Sequence, residues 1–337
     1  MKENFTYGTA AFIMPHWRTD NGISRQYLDE AIKGLFAQTD KNWKLVIVDD
    51  CSPCDEAIEY ILSLEKKHSD KINVILNKEH VGAWHVRNTG IKWAYENNYP
   101  IILFNDADDI SNNRRLEVVR RKFIEDKNTD VVYSTFKIID ENGNRVADEN
   151  ISPCIYETLE GHKNNIVQGK NAWIEIGTEK NYTNLTSSTS VRTKVAYSYP
   201  FPNVKTSEDS HTWLRYGANG GNFVYCPEIP SLYRIPSNIP SSSRARFNDF
   251  YRVKAEVDID GFMRAMEIAI AKGNFDLKDK DDVLIRFYIK LAESLSLGEA
   301  YDIASEQVIN AAKISYDKTR QVINERGLND KCWVKFQ

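Results

Sequence analysis

The chain has no apolar run of about 18 residues, the length a helix needs to span a bilayer. Its opening, Met1-Lys2-Glu3-Asn4-Phe5, lacks the hydrophobic core of a secretory signal. Cysteine is scarce and odd in number. Cys51, Cys54, Cys154, Cys226 and Cys332 are scattered, which argues against a disulfide framework and for a reducing, cytoplasmic setting. Cys51-Ser52-Pro53-Cys54 is a C-x-x-C without the second pair that a zinc site needs. None of the 6 histidines stands at metal-ligand spacing. The net charge of −4 supplies no basic field, so nucleic acid is not an expected partner. Arg114-Arg115 and Arg120-Arg121-Lys122 recur at helical spacing and read as a solvated helix face. The 16 glycines form neither G-x-G-x-x-G nor G-x-x-x-x-G-K-[ST], which removes dehydrogenase and P-loop readings.

What remains is a globular composition, 42% hydrophobic and 27% charged, with length enough for one large domain and a smaller one. The first half alternates strand and helix. Apolar runs at Ala10–Met14, Lys44–Val48, Asn73–Leu76 and Pro100–Phe104 are separated by amphipathic stretches at Ser24–Gln38, Glu56–Lys67 and Trp84–Asn97. A helix near Arg114–Glu125 and a strand at Asp130–Ile139 follow, the strand ending in Glu141-Asn142-Gly143-Asn144, a hairpin signal. Such alternation predicts an α/β fold with a mostly parallel sheet flanked by helices. From Cys154 to Thr186 the pattern weakens and reads as a long excursion over a cleft. A helix is expected at Glu208–Tyr216 and short extended pieces at Asn222–Cys226 and Ser231–Ile235. A breaker cluster at Pro236–Ser243 precedes three helical stretches, roughly Asp249–Lys272, Lys280–Ser296 and Gly298–Asn324. The expected division is a domain over residues 1–245 and a helical appendage over 246–337. The segments 155–186 and 236–246, rich in glycine, serine and proline, are expected to order over a bound donor.

The chemistry gathers where strands end. Asp106 and Asp108 follow the apolar run Pro100–Phe104 with one residue between them. In open α/β sheets ligands bind beyond the carboxyl ends of strands. Two acids converging there suit a hard divalent cation that also grips a diphosphate, or they form a solvated acidic turn. Pro15-His16-Trp17-Arg18 follows the first strand, Asp49-Asp50 closes the second, and Gly82 to Gly90 opens the third helix. Glu208-Asp209, with Trp213 and Arg215 behind them, lie about a hundred residues beyond the acids.

Taken together, Ile13-Met14-Pro15, Val46-Ile47-Val48-Asp49-Asp50, Val81-Gly82 with Arg87-Asn88-Thr89-Gly90, Asn105-Asp106-Ala107-Asp108-Asp109 and Glu208-Asp209 resemble the family-2 glycosyltransferases of GT-A (Rossmann-like) fold over roughly residues 8–240. The resemblance implies an inverting enzyme that moves a sugar from a nucleotide sugar, most simply a UDP-sugar, to an acceptor hydroxyl. It implies that Pro15, Trp17, Asp50, Arg87 and Asp106 hold the nucleotide. Trp17 would stack on the base, and Asp50 would accept the uracil imide N–H. Asp108, with Asp106, would hold Mn²⁺ or Mg²⁺, and Asp109 would stand behind them. Asp209 would be the general base, with Glu208 secondary. Asn88 is read as a brace for the third helix, and Asp49 as an orienting partner of Asp50. Glycan, lipid-linked or protein acceptors follow from the resemblance alone, as does a place in cell-surface glycan synthesis.

The chain departs from the family at three points. Tyr233-Arg234-Ile235-Pro236 stands where Tyr-Arg-x-His is common, which passes a metal or phosphate contact to Arg234, Asn238 or Arg244 or leaves it unfilled. His16 replaces a small hydroxyl residue, and Asn113 a proline. Two other classes stay open on the residues. A sugar-nucleotide nucleotidyltransferase shares the sheet but needs a glycine-rich, basic first loop that Pro15–Thr19 does not supply. A non-catalytic carbohydrate- or partner-binding protein would keep the fold and lose the acids. A cytoplasmic location is expected, with contact at the inner membrane face left open because no basic amphipathic stripe marks the C-terminal helices.

Overall fold

The computed structural model describes residues 8–19, 23–147, 153–180, 183–236 and 249–336. Asn238 and Arg244, and nearly all of the segment 236–246, lie outside them. The chain separates into two compact units. One comprises residues 1–168, 184–203 and 222–239, and the other residues 169–183, 204–221 and 240–337.

The first unit is a seven-stranded sheet with helices against it. It contains β1 (Ala10–His16), α1 (Ile23–Phe36), β2 (Trp43–Asp49), α2 (Asp55–Lys67), β3 (Ile72–Leu76), α3 (Ala83–Glu96), β4 (Ile101–Phe104), α4 (Arg115–Glu125), β5 (Thr129–Ile139), α5 (Pro153–Asn164), and, after the second unit's α6 (Ala172–Thr178), β6 (Thr189–Arg192) and α7 (Thr193–Ser198). After α8 (Glu208–Ala218) of the second unit comes β7 (Asn222–Arg234). The order across the sheet is β3-β2-β1-β4-β6-β5-β7. All neighbours are parallel except β6, which runs against both β4 and β5.

The continuous apolar runs explain the central strands. Ala10, Ala11, Phe12, Ile13 and Met14 of β1 and Ile101, Ile102, Leu103 and Phe104 of β4 are all buried, as befits parallel strands covered on both faces. Pro15 sits in β1 without loss, because pairing with β4 has already ended at Ile13 opposite Phe104. The two extended pieces expected after Gly221 are one strand. Its register against β5 jumps between Cys226, opposite Ser134, and Ser231, opposite Phe136. Pro227 and Pro230 fall inside that bulge on the edge strand, where a missing N–H costs least.

The expected excursion over 154–186 is instead largely helical, carrying α5 and α6. The basic helix face also needs correction. Arg115 is fully buried, and Arg120 is mostly covered and paired with Asp40 at 2.6 Å. Leu116, Val118, Val119 and Phe123 share the same helix, so α4 packs into the core with a guanidinium among its apolar side chains.

In the second unit, α6 and α8 pack with α9 (Phe250–Ala271), α10 (Lys280–Ser296), α11 (Tyr301–Ile314) and α12 (Tyr316–Glu325). Its core centres on Phe262, which stacks on Phe287 with ring centroids 4.0 Å apart and also meets Trp173 at 5.1 Å. Among the described residues no helix is long and apolar enough to cross a membrane.

Helix α3 lies close against β1 because Gly90 has no side chain. A Cβ there would stand 2.4 Å from Ile13 Cγ2 in the centre of the sheet. Gly90→Ala is therefore expected to lower stability by about 1–3 kcal/mol, read as a lower urea midpoint at unchanged slope.

Candidate active site

Parallel pairing brings the carboxyl ends of β1, β2, β3 and β4 to one edge of the sheet. His16 pairs in register with Asp49, so Trp17 and Asp50 leave neighbouring strands side by side. Asp49 is buried and accepts from His16 Nδ1 at 2.7 Å, from Ser52 N at 2.8 Å and from the Ser52 hydroxyl. Burial opposes its ionisation, yet the hydrogen bonds from His16 and Ser52 outweigh that and hold the carboxyl below its ordinary value. Asp49 thus orients the loop, and His16 is its partner.

Asp50 is also buried. Its carboxylate accepts from Val81 N at 3.2 Å and Gly82 N at 2.8 Å, which fixes the turn opening α3. Gly82 adopts φ +119°, a conformation that favours glycine. Trp17 is half exposed and stacks on the imidazole of His80.

Arg87, buried on α3, donates to Asp106 Oδ1 at 3.1 Å and lies over the ring of Phe201. Asn88 holds both the N–H and the C=O of Phe201, each at 2.8 Å, so it braces α3 as expected from the sequence.

The acidic turn follows β4. Asp106 N donates to Ser187 Oγ at 2.9 Å, Asn105 Nδ2 donates to Asp109 O at 3.1 Å, and Arg234 N donates to Asp109 Oδ1 at 2.9 Å. Asp109 is buried, with Ser187 beside its carboxyl. Asp108 is open to solvent although protein crowds around it. That crowding and the charge of Asp106 push its carboxyl up to about 6, against the pull of Arg234 and Arg87. Burial, with Asp108 and Asp106 beside it, raises Asp109 well above the carboxylate range.

Three arginines brace this turn. Arg115 donates to Phe104 O at 2.9 Å and Thr189 O at 2.8 Å, tying the end of β4 to β6. Burial pushes it down to about 9. The guanidinium of Arg234 donates to Asp108 O and Asp140 O, each at 3.0 Å, pairs with Glu30, and lies 4.3 Å over the Tyr27 ring. Arg234 thus joins the turn to the end of β5 and to α1. Sequence reasoning missed Arg115, Ser187 and His80 in this region. The signal for Arg115 was a charged residue within the apolar face Leu116, Val119 and Phe123. Ser187 and His80 carried none.

Glu208 and Asp209 belong to the second unit and open α8. The preceding Ser207 takes a left-handed φ of 57°, a costly conformation for a residue with a side chain. Asp209 Oδ1 accepts Ser210 N at 2.8 Å. Trp213 and Arg215 point into the protein. Arg215 Nε donates to His211 Nδ1 at 2.9 Å, so the imidazole carries its proton on Nε2 and presents it to Asp260 Oδ2 at 2.9 Å. Burial and the Arg215 charge push His211 below its ordinary value. This chain of bonds fixes α8 on α9.

Asp108 has a consequence for stability. With its folded value raised to about 6, the native state holds this proton more tightly than the unfolded chain does. That advantage is full below about pH 4 and is lost as pH rises through about 6. Asp108→Asn should therefore raise Tm in chelator more at pH 7.5 than at pH 5, by thermal melts at both. An equal shift at the two pH values would contradict the crowding.

The family model of glycosyl transferase family 2 matches residues 12–183. The chain is 26% identical over 286 residues to the UDP-Glc:alpha-D-GlcNAc-diphosphoundecaprenol beta-1,3-glucosyltransferase WfgD of Escherichia coli, covering 80% of this chain and 96% of that protein. It is 27% identical over 227 residues to an uncharacterized glycosyltransferase of Methanocaldococcus jannaschii, covering 67% and 72%. Among solved structures, S. aureus TarS 1-349 in complex with UDP matches with a TM-score of 0.54 at 17% identity, over 95% of this chain and 92% of that one. The mannosyltransferase PcManGT from Pyrobaculum calidifontis, in complex with GDP-Man and Mn²⁺, matches with a TM-score of 0.54 at 15% identity, over 96% and 81%. These structural likenesses establish the GT-A fold. The family match covers half of the chain, and with it the protein belongs to glycosyltransferase family 2 and is a glycosyltransferase.

Proposed function

We propose that the protein is an inverting, metal-dependent glycosyltransferase. It takes a sugar from a UDP-sugar and passes it to the hydroxyl of a glycan, lipid-linked or protein acceptor in cell-surface glycan synthesis, on the cytoplasmic side of the membrane. Residues 1–245 would form the transferase domain and 246–337 a helical addition to it. The observation that carries this reading is the acidic turn after β4. There Asp108, raised to about 6 by the protein crowded around it and then by the charge of Asp106, stands beside a second carboxylate whose charge a cation would offset.

The donor set fits such an ion. Among the described residues no group of three or more His, Cys, Asp and Glu side chains is placed to hold a metal ion by itself. One or two carboxylates completed by diphosphate and water is how Mg²⁺ is commonly held, and Mn²⁺ accepts the same oxygens. Asp108 and Asp106 would hold the metal, which when bound would offset charge growing on the leaving diphosphate. Trp17 and Asp50 would hold the base, Pro15 and Arg87 would line the nucleotide site, and Arg87 would keep Asp106 in place. Asp209 would take the proton of the acceptor hydroxyl as its oxygen attacks the anomeric carbon, with Glu208 assisting.

Calorimetry with UDP tests the donor site. Affinity should fall in excess chelator, and Asp108→Asn should weaken metal-dependent binding more than Asp109→Asn does. Equal affinity in chelator and in Mn²⁺ would remove the metal from the mechanism. The base assignment is tested by turnover. Asp209→Asn should lower it roughly 10²–10⁴-fold while leaving UDP-sugar binding nearly intact, and Glu208→Gln should do less. The product should carry a β-linkage from an α-linked donor, and retention seen by NMR would point to different chemistry.

A further inference from the structure

Trp17 and Asp50, read above as the base-binding pair, are both engaged by one residue of the chain itself. The imidazole of His80 stacks on the Trp17 indole with ring centroids 4.6 Å apart and planes 26° from parallel. Its Nδ1 lies 2.8 Å from Asp50 Oδ2 and 3.2 Å from the Asp50 carbonyl oxygen. A flat aromatic ring that stacks on an indole and presents an N–H to a carboxylate makes the two contacts expected of a nucleobase.

The two partners are anchored differently. The Asp50 side chain is 3% exposed and stays fixed through the N–H groups of Val81 and Gly82. The His80 side chain is 55% exposed and sits in the irregular segment between β3 and α3. Its ring can leave while the carboxylate remains in place.

We infer that His80 is an internal stand-in for the nucleobase, and that a nucleotide binds by displacing its imidazole from Trp17 and Asp50. This rests on reading Trp17 and Asp50 as the base site. It also sets the class of base admitted. Asp50 accepts and cannot donate, so a replacement for His80 must offer a ring N–H together with a stacking face. Uracil and guanine do so. Cytosine and adenine turn an unprotonated ring nitrogen toward the carboxylate beside their amine. Uridine and guanosine diphosphates should therefore compete with His80, and cytidine and adenosine diphosphates should not.

The experiment is calorimetric titration of the full chain with UDP and with CDP in Mn²⁺, for the wild type, His80→Ala, His80→Phe and both His80 variants in a Trp17→Ala background. Losing one stacked ring and one imidazole–carboxylate hydrogen bond should make UDP binding to His80→Ala about 3- to 30-fold tighter. His80→Phe keeps the ring without the N–H and should gain less, and it reports the same sign should His80→Ala fold poorly. In the Trp17→Ala background most of the gain should vanish, because the imidazole then has little to hold it. CDP should remain weak throughout. If UDP binds the wild type but binds His80→Ala and His80→Phe equally or more weakly, the proposal is overturned: His80 then supports Trp17 or is a bystander, and the donor site itself stands. Failure of UDP to bind any of these proteins would sink both the stand-in and the base site.

Discussion

The crowding of three carboxylates at the end of one buried strand is the constraint around which this sheet is arranged. Asp106, Asp108 and Asp109 fall within four residues, and like charges so placed repel unless something compensates. The fold compensates with arginines that arrive from far along the chain. Arg87 pairs with Asp106, and Arg234 holds the backbone of the turn while donating its own N–H to Asp109. Arg115 locks the strand end beneath them. What remains only partly compensated is the carboxylate of Asp108, raised to about 6 by the protein around it and by Asp106 against the pull of Arg234 and Arg87. Stability is given up at the most exposed of the three acids, which is where a candidate metal ligand has to be.

The antiparallel strand β6 gives this arrangement its rigidity. It enters between β4 and β5, with Ser190 opposite Leu103 and opposite Val132. The turn before it delivers Ser187, whose hydroxyl oxygen accepts from Asp106 N and whose carbonyl accepts from Ser231. Arg115 then bonds carbonyls on β4 and beside the start of β6 together. A guanidinium that loses its water must find acceptors, and strand-end carbonyls are the ones available. The buried arginine therefore acts as a clamp on backbone that would otherwise fray at the edge of the site.

At the other side of the same edge, hydrogen bonds replace charge compensation. Asp49 is satisfied by His16 and Ser52, and Asp50 by the turn at Val81 and Gly82. These bonds link the ends of β1 and β2 to the start of α3. Gly90 allows α3 to lie close enough to β1 for that link to form. The candidate nucleotide and metal residues thus stand on strand ends and a helix start held by hydrogen bonds, with Trp17, His80 and Asp108 the more exposed side chains among them.

The sequence by itself determined the α/β alternation, the parallel core and the placing of Trp17, Asp50, Arg87, Asp106 and Asp108 along it. Apolar runs of strand length separated by amphipathic helices admit few other topologies, and short polar motifs directly after such runs must emerge at one edge. It also placed Glu208 and Asp209 at a helix start, since acids there complement the helix dipole. The tertiary structure alone decided the rest. Pro227 and Pro230 made one bulged edge strand look like two, and α5 and α6 were hidden because their polar and glycine-containing turns carry little periodicity. Arg115 and Arg234 looked like surface or ligand-binding charges because local pattern does not report which distant carbonyls a guanidinium will meet. His80 showed nothing at all in sequence. Its meaning comes from the stacking on Trp17 and the bond to Asp50, contacts across 63 and 30 residues of chain that exist only once β1, β2 and β3 end side by side.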